Sequence, residues 1–203
     1  NISYISGKLS SGENKKVKLS QVVNQQDIRY KPIYDIILSA ISSNNVISSF
    51  LNAKKITPPQ IVKYTTGGFY DWHVDELQIC DTVTHYSMTI FLDDDYVGGE
   101  LVLKQNDKEL KYKLPAGKAI IYSTGILHKV SNIEEGSRTV AICWIESLIR
   151  DEFMRNCIFE MGKITSDLCV ESCNSNDVIQ DASKKLLAYE QVRINMIRQY
   201  GNF

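Results

Sequence analysis

The chain has 203 residues, five cysteines and a formal net charge of −1. This length is enough for one domain with a substantial core, and we expect residues 1–203 to form one. The balanced charge gives no electrostatic footprint for nucleic acid or for an anionic membrane. Apolar runs fall far short of a bilayer span, and no signal peptide is visible. Five cysteines without framework spacing indicate a reducing compartment, so we predict a cytoplasmic location.

Before residue 58 the sequence predicts one helix and little other regular structure. Residues 1–24 alternate weakly and are rich in Lys, Ser and Asn, which favours an edge strand and a loop. From Pro32 to about Asn52 apolar residues recur at helical spacing, which predicts an amphipathic helix. Pro58 and Pro59 then break any helix and introduce the first core strand.

Residues 58–148 predict a core of many short strands, which is typical of a sandwich or a jelly roll. Turn residues separate apolar stretches at 98–99, 105–107 and 115–117. The predicted strands lie near 60–64, 70–75, 85–92, 100–104, 109–113, 118–123, 126–131 and 137–146. Two helices are predicted at 150–165 and 177–200, separated by the polar stretch Glu171 to Asp177. The chain is therefore predicted to be mainly β, with a core at about 58–148 and a helical extension at about 149–203.

Three side chains with metal-ligand chemistry follow one another in the predicted core: His73, Asp75 and His128. Two imidazoles and one carboxylate form the facial triad that binds non-haem Fe(II) and leaves coordination positions open. Side chains at i and i+2 of a strand leave the same face, so His73 and Asp75 can reach one ion while Val74 packs on the opposite side. An isolated triplet would favour a surface strand with a hydrogen-bonded histidine. In this chain, however, two of the three histidines fall at the required positions.

Arg138 lies ten residues after His128, in an apolar stretch that reads as a buried strand. Alternate side chains of a strand point to the same face, and one face of this strand therefore contains Arg138, Val140, Ile142 and Trp144. A buried guanidinium must be paired, because removing a charge from water costs several kcal/mol. On this strand alone a structural salt bridge and a bound anion are equally good partners. The position after a candidate metal ligand favours an anion, and the planar fork of arginine suits a carboxylate.

The motifs around these residues resemble those of Fe(II)- and 2-oxoglutarate-dependent oxygenases of the prolyl hydroxylase superfamily, and most nearly those of the bacterial PKHD-type hydroxylases. The resemblance rests on Tyr64–Asp75, Thr89–Asp93, Gly98–Leu101, Leu114–Gly117, His128–Val130 and Gly136–Arg138. It is most specific over 58–151 and continues into the last helix, around Tyr189 to Tyr200. The first residue is not Met and an opening helix usual in the family is not found, so we expect a shortened N-terminus.

The resemblance implies a fold and a set of residue roles. The fold is a double-stranded β-helix, a distorted jelly roll, with helices packed outside. His73, Asp75 and His128 would bind Fe(II), and no further catalytic residue is implied. Arg138 would bind the distal carboxylate of 2-oxoglutarate together with the Tyr64 hydroxyl. The co-substrate pocket would be lined by Thr89, Leu101, Ile142 and Trp144.

The resemblance also implies the reaction, which uses 2-oxoglutarate and O2 as co-substrates, with ascorbate as an additional cofactor. It favours hydroxylation of a prolyl residue in a peptide or protein, with release of succinate and CO2. A free amino acid or another small metabolite stays open as the substrate. Outside this class, a non-catalytic metal-binding β-barrel would have no use for Arg138. A zinc hydrolase would need a general base, for which Glu76 is the adjacent candidate.

Overall fold

The computed structural model describes residues 2–7, 18–45, 47, 51–174 and 179–203, with only the backbone of those between 170 and 183. The chain forms two compact units. The first consists of Asn1–Ser39 and Ile56–Glu146, and the second of Ala40–Lys55 and Ser147–Phe203. The expectation that residues 1–203 act as a single domain stays a prediction.

The described residues form fifteen strands and three helices. The strands, in chain order, are β1 Tyr4–Ser6, β2 Lys18–Leu19, β3 Gln21–Val23, β4 Ala53–Ile56, β5 Gln60–Thr65, β6 Phe69–His73, β7 Gln78–Ile79, β8 Thr82–Val83, β9 Tyr86–Phe91, β10 Tyr96–Gly98, β11 Leu101–Gln105, β12 Lys108–Tyr112, β13 Ala119–Ser123, β14 His128–Val130 and β15 Ile133–Ser147. The helices are α1 Tyr30–Ser42, α2 Glu152–Asn174 and α3 Ile179–Tyr200.

The first unit contains two antiparallel sheets with a shared core. One sheet has the order β1-β3-β5-β15-β9-β13, and β10 pairs with β15. The other has the order β12-β11-β14-β6-β2, and β7 and β8 form a separate hairpin. The core between the sheets contains buried residues from both, including Val62, Phe91 and Val140 from the first and Val130 from the second. This arrangement is the predicted double-stranded β-helix, which is confirmed.

All eight predicted core strands have a counterpart, and the differences lie at their ends. β15 begins at Ile133, four residues before the predicted start, where it pairs with β10. The β11–β12 hairpin turns at Asn106 and Asp107, which both have positive φ, as the favoured two-residue hairpin turn requires. Three short strands, β1, β2 and β3, occupy the described part of residues 1–24, where one edge strand was expected.

The predicted helices are present with different lengths. α1 ends at Ser42 and not at Asn52. Ser43 Oγ donates to the Ala40 carbonyl, and Asn44 Oδ1 accepts from Ile47 N, so these polar side chains interrupt the helix before Asn45 and Ile47, which are helical again. Residues 46 and 48–50 of the predicted helix lie outside the described residues. α2 begins after Asp151, which caps it by accepting a hydrogen bond from Met154 N, and continues past the predicted end at 165. Glu171 to Asn174 belong to α2, because this stretch contains neither Gly nor Pro.

The second unit is held together by contacts of the segments beside its helices. Ser147 Oγ donates to the carbonyl of Leu51 over 2.9 Å, and Leu148 N donates to the carbonyl of Asn52 over 2.8 Å. A β-bridge joins Ile149 to Gly201. Among the described residues, no helix combines the length and the apolar character needed to cross a membrane.

Candidate active site

The three candidate metal ligands meet in the second sheet of the first unit. His73 is the last residue of β6 and His128 the first of β14, and the two are direct partners in the antiparallel register. Asp75 follows two residues after the end of β6. One ligand atom from each of the three side chains lies within 4.8 Å of the others.

Val74 differs from the prediction. Because β6 ends at His73, Asp75 comes from the irregular segment that follows and not from the strand itself. Val74 is 49% exposed and lines the cavity described below, so it does not pack on an opposite, buried face. The prediction that His73 and Asp75 come together is therefore correct, but its reason, that both lie on one face of a strand, is not.

Both histidines present the same ring nitrogen to the centre of the cluster. His73 Nδ1 lies 2.7 Å from the Asp71 carbonyl, and His128 Nδ1 lies 2.8 Å from the Ile126 carbonyl. A carbonyl only accepts, so each Nδ1 carries the proton and each Nε2 keeps its lone pair free. Hydrogen bonds of this kind fix the orientation of metal-ligating histidines.

The Asp75 carboxylate divides its two oxygens between different partners. Oδ1 lies 3.7 Å from Nε2 of His73 and 3.7 Å from Nε2 of His128. Oδ2 accepts hydrogen bonds from Ser87 Oγ at 2.7 Å and from Trp144 Nε1 at 2.9 Å. Three electron-pair donors therefore converge on one point, and this donor set fits Fe(II).

Burial keeps the His73 ring in the form that binds a metal. Burial, and then the neighbouring His128, lower the pKa of His73 to about 4, so the ring is neutral at pH 7. The Tyr70 ring stacks on it with centroids 3.5 Å apart and 17° between the planes. A metal ion can therefore bind His73 at neutral pH without displacing a proton.

A cavity of about 140 Å³ opens beside the cluster. Every residue that the sequence predicted for the site lines it: His73, Asp75, His128, Arg138, Tyr64, Thr89, Leu101, Ile142 and Trp144. Val140, predicted on the same face of its strand, lies in the core between the sheets. The fold thus brings the predicted set to one place, while the roles of its members stay predictions.

Arg138 is buried in the wall of this cavity without a carboxylate partner. Only 1% of the residue is exposed, and its Nε and Nη1 atoms have no hydrogen-bond partner. Among the described residues, no acidic side chain forms an ion pair with it. The rings of Tyr64 and Phe91 each lie 5.4 Å from the guanidinium carbon, and the Tyr96 side chain is a further neighbour. The structural salt bridge left open by the sequence is not found there. An anion bound in the cavity would satisfy the guanidinium, and a small dicarboxylate fits that requirement.

Tyr64 lies beside Arg138 as a neutral hydrogen-bond donor. Burial raises the pKa of Tyr64 to about 12, so its hydroxyl stays protonated. The residue is 1% exposed, and it pairs directly with Arg138 across β5 and β15. This position is compatible with the predicted contact to the same carboxylate.

Sequence reasoning missed several residues of the site. Lys18 and Tyr122 line the cavity. Ser87 does not line it but donates a hydrogen bond to Asp75. Tyr70 belongs to a segment that carried the family resemblance, yet no role was predicted for it. Neither Lys18 nor Ser87 has a local signal, because the pairing of β2 with β6 and of β9 with β15 brings them there. The third histidine, His85, is not among the residues that line the cavity.

Comparison with known proteins agrees with this geometry. The family model described as the 2OG-Fe(II) oxygenase superfamily matches residues 59–146. A PKHD-type hydroxylase from Thermosynechococcus vestitus is 36% identical over 164 residues, which cover 76% of this chain and 71% of that relative.

Two solved structures share the fold. A prolyl-4-hydroxylase from Pseudomonas putida superposes with a TM-score of 0.50 at 18% identity, over 65% of this chain and 74% of that chain. A prolyl hydroxylase from Trichoplax adhaerens, in complex with a hypoxia inducible factor oxygen degradation domain peptide fragment, gives 0.52 at 18% identity over 70% of each chain. The sequence relative and the family model establish that this chain belongs to the 2OG-Fe(II) oxygenase superfamily, among the PKHD-type hydroxylases, and is a 2-oxoglutarate-dependent dioxygenase.

Proposed function

We propose that this enzyme hydroxylates an unactivated C–H of a prolyl residue in a peptide or protein, in the manner of a prolyl 4-hydroxylase. The observation that carries the co-substrate assignment is the buried Arg138, whose unpaired nitrogens share a cavity with the His73, Asp75 and His128 cluster. The prolyl assignment is supported by the two solved structures of the same fold, both prolyl hydroxylases, one of them in complex with a peptide fragment.

In this proposal His73, Asp75 and His128 hold Fe(II), Arg138 and Tyr64 bind the distal carboxylate of 2-oxoglutarate, and Thr89, Leu101, Ile142 and Trp144 line the pocket. When bound by these residues, Fe(II) would supply, with 2-oxoglutarate and O2, the oxidising chemistry for hydroxylation of the C–H bond, with release of succinate and CO2. The protein ligates the metal, orients the substrates and excludes water from the site. No side chain is required as a general acid or base. The proposal of ascorbate as a further cofactor rests on the family resemblance. The proposal of a cytoplasmic location rests on cysteine usage.

Arg138 acts in this scheme by fixing the end of the co-substrate that is remote from the metal. A guanidinium holds a carboxylate through two parallel hydrogen bonds, which sets both distance and angle. The protonated Tyr64 hydroxyl adds a third donor at the same end. Membership of the oxygenase family also selects this chemistry over the zinc hydrolase and the non-catalytic barrel.

The first test measures succinate formed from 2-oxoglutarate under air, with and without Fe(II), in wild type and in Arg138→Ala. We expect iron-dependent turnover in wild type. In the variant the affinity for 2-oxoglutarate should fall about 100-fold or more, because two charge-assisted hydrogen bonds disappear. Metal binding should be unchanged. Arg150→Ala, which removes an exposed arginine of the second unit, is the control and should behave as wild type.

Three results would contradict the proposal. Equal loss of metal and 2-oxoglutarate binding in Arg138→Ala would refute the anchoring role. If wild type forms no succinate, the binding of Fe(II) and of 2-oxoglutarate is measured without oxygen. Failure to bind either one would refute the assignment of the site. Stimulation of succinate release by short prolyl peptides, and not by free L-proline, would support the peptide substrate; the reverse result would establish the small-metabolite alternative.

A further inference from the structure

Asp75 differs from the two histidines because its carboxylate has two oxygens that can both bind one ion. Carboxylates ligate metals through one oxygen or through two, and the second mode occupies an additional coordination position. The site of a facial triad depends on positions that stay open for co-substrates. The surroundings of Asp75 Oδ2 therefore decide how many positions the protein leaves free.

Both lone pairs of Asp75 Oδ2 are used by donors of the protein. Ser87 Oγ donates over 2.7 Å and Trp144 Nε1 over 2.9 Å, while Oδ1 faces the two histidine Nε2 atoms. Hydrogen bonds to a charged carboxylate are stronger than those between neutral groups. Oδ1 is thus left as the oxygen available to a metal.

The two donors are placed together by the sheet. Ser87 on β9 and Trp144 on β15 are direct cross-strand partners, so one register delivers both to the same oxygen. Each is fixed by a second contact. The Thr124 hydroxyl lies 3.2 Å from Ser87 Oγ, and Trp144 N donates to Thr57 Oγ1 over 2.9 Å. Ser87 is fully buried and Trp144 is 8% exposed, so neither donor is free to leave.

We propose that Ser87 and Trp144 are positioning residues that hold Asp75 to one-oxygen ligation and so keep a coordination position open for 2-oxoglutarate. This inference rests on the proposed function, because it takes His73, Asp75 and His128 as the metal ligands. Ser87 does not line the cavity, so Ser87→Ala removes a hydrogen bond to Asp75 without removing a side chain that 2-oxoglutarate would touch. Trp144 lines the cavity, and for this reason its test keeps the ring and removes only the donor.

The experiment compares two equilibrium constants in Ser87→Ala and Trp144→Phe. Protein is loaded with Co(II), and the affinities for Co(II) and then for 2-oxoglutarate are measured by calorimetry. Each variant frees one lone pair of Asp75 Oδ2, which can then compete for a second position on the ion. We therefore expect 2-oxoglutarate affinity to fall about 10- to 100-fold while Co(II) affinity changes little. The matched controls are Ser147→Ala, a buried hydrogen-bonded serine of the second unit, and Trp72→Phe, at the only other tryptophan. Both should match wild type.

Three results have defined meanings. Selective loss of 2-oxoglutarate binding in both variants supports the inference. Parallel loss of Co(II) and 2-oxoglutarate binding, or no loss of either, overturns it, and Trp144→Phe decides if Ser87→Ala does not fold. Failure of wild type itself to bind Co(II) would instead refute the metal site of the proposed function, which separates the two failures.

Discussion

Lys18 and Arg138 are two cations buried in the wall of one cavity, and burial acts on them differently. A guanidinium stays charged in proteins, so Arg138 needs a bound anion. An ammonium can lose its proton instead. Lys18 is 4% exposed, with its Nζ 4.6 Å from the centre of the Tyr70 ring. Burial lowers the pKa of Lys18 to about 8, partly opposed by the negative charge of Asp75.

The pKa of Lys18 predicts a pH dependence of stability in the metal-free protein. The ordinary lysine pKa is 10.5, so between about pH 8 and 10.5 the unfolded chain binds more protons at this residue than the folded one. The free energy of unfolding should therefore rise with pH across this window, by up to about 3 kcal/mol from Lys18 alone. Lys18→Met should abolish this rise and stabilise the protein at pH 7.

Urea denaturation of metal-free protein at several pH values from 7 to 10.5 measures this effect as the difference between wild type and Lys18→Met. Other groups titrate in the same pH range, and their contribution cancels in the difference between wild type and Lys18→Met. Lys129→Met is the control, because Lys129 also lies over an aromatic ring, that of Trp72 at 4.4 Å, but does not line the cavity. An unchanged pH slope in Lys18→Met would refute the prediction.

At the scale of elements, the turn at Gly98–Gly99 connects β10 and β11 beside Arg138. Gly99 has a φ of 67°, and a Cβ there would lie 2.3 Å from Ile133 Cδ1 and 3.2 Å from Arg138 Cδ. The backbone thus approaches the anion site more closely than any side chain at this position would permit. The glycine is required by both the conformation and the space.

Gly99→Ala should destabilise the protein by about 2–4 kcal/mol, from left-handed strain and from overpacking against Ile133. Displacement of the Arg138 stem should also weaken 2-oxoglutarate binding. The control is Gly117→Ala, which has a φ of 82° but no atom within 4 Å of its Cβ and therefore carries only the strain. Urea denaturation of both variants separates the two effects, and equal destabilisation would show that crowding beside Arg138 contributes nothing.

The elements that were predictable are those whose local pattern agrees with their tertiary role. The apolar run 138–145 and the turn at 106–107 are sufficient to predict β15 and the β11–β12 hairpin. Strands of two or three residues, such as β2 and the β7–β8 hairpin, have no such pattern, because only their partners make them strands. The same limit applies to the site. His73, Asp75, His128 and Arg138 could be predicted from residue type and spacing, whereas Ser87 and Lys18 depend on which strands pair.

At the scale of the molecule, the metal cluster links parts of the chain that are distant in sequence. His73 and Asp75 belong to β6 and the segment after it, and His128 to β14, which pairs with β6. Without a cation, the Asp75 carboxylate and two Nε2 lone pairs point at one another at 3.7 Å. A metal ion replaces this repulsion with three bonds that close the loop between the strands, so binding is coupled to the stability of the first unit.

Metal binding should therefore raise the unfolding temperature of the first unit. At a free metal concentration 100 times the Kd, the stabilisation is about 2.7 kcal/mol, or roughly 5–10 °C for a protein of this size. His73→Ala and Asp75→Ala should each lose this increment, whatever their own stability, because the increment is measured within each variant. Anaerobic thermal unfolding with Fe(II) and with a chelator measures it. His85→Ala, at the histidine outside the cavity lining, should keep the full increment. An increment that survives in His73→Ala and Asp75→Ala would mean that iron stabilises the chain at some other place, and the ligand set would then be wrong.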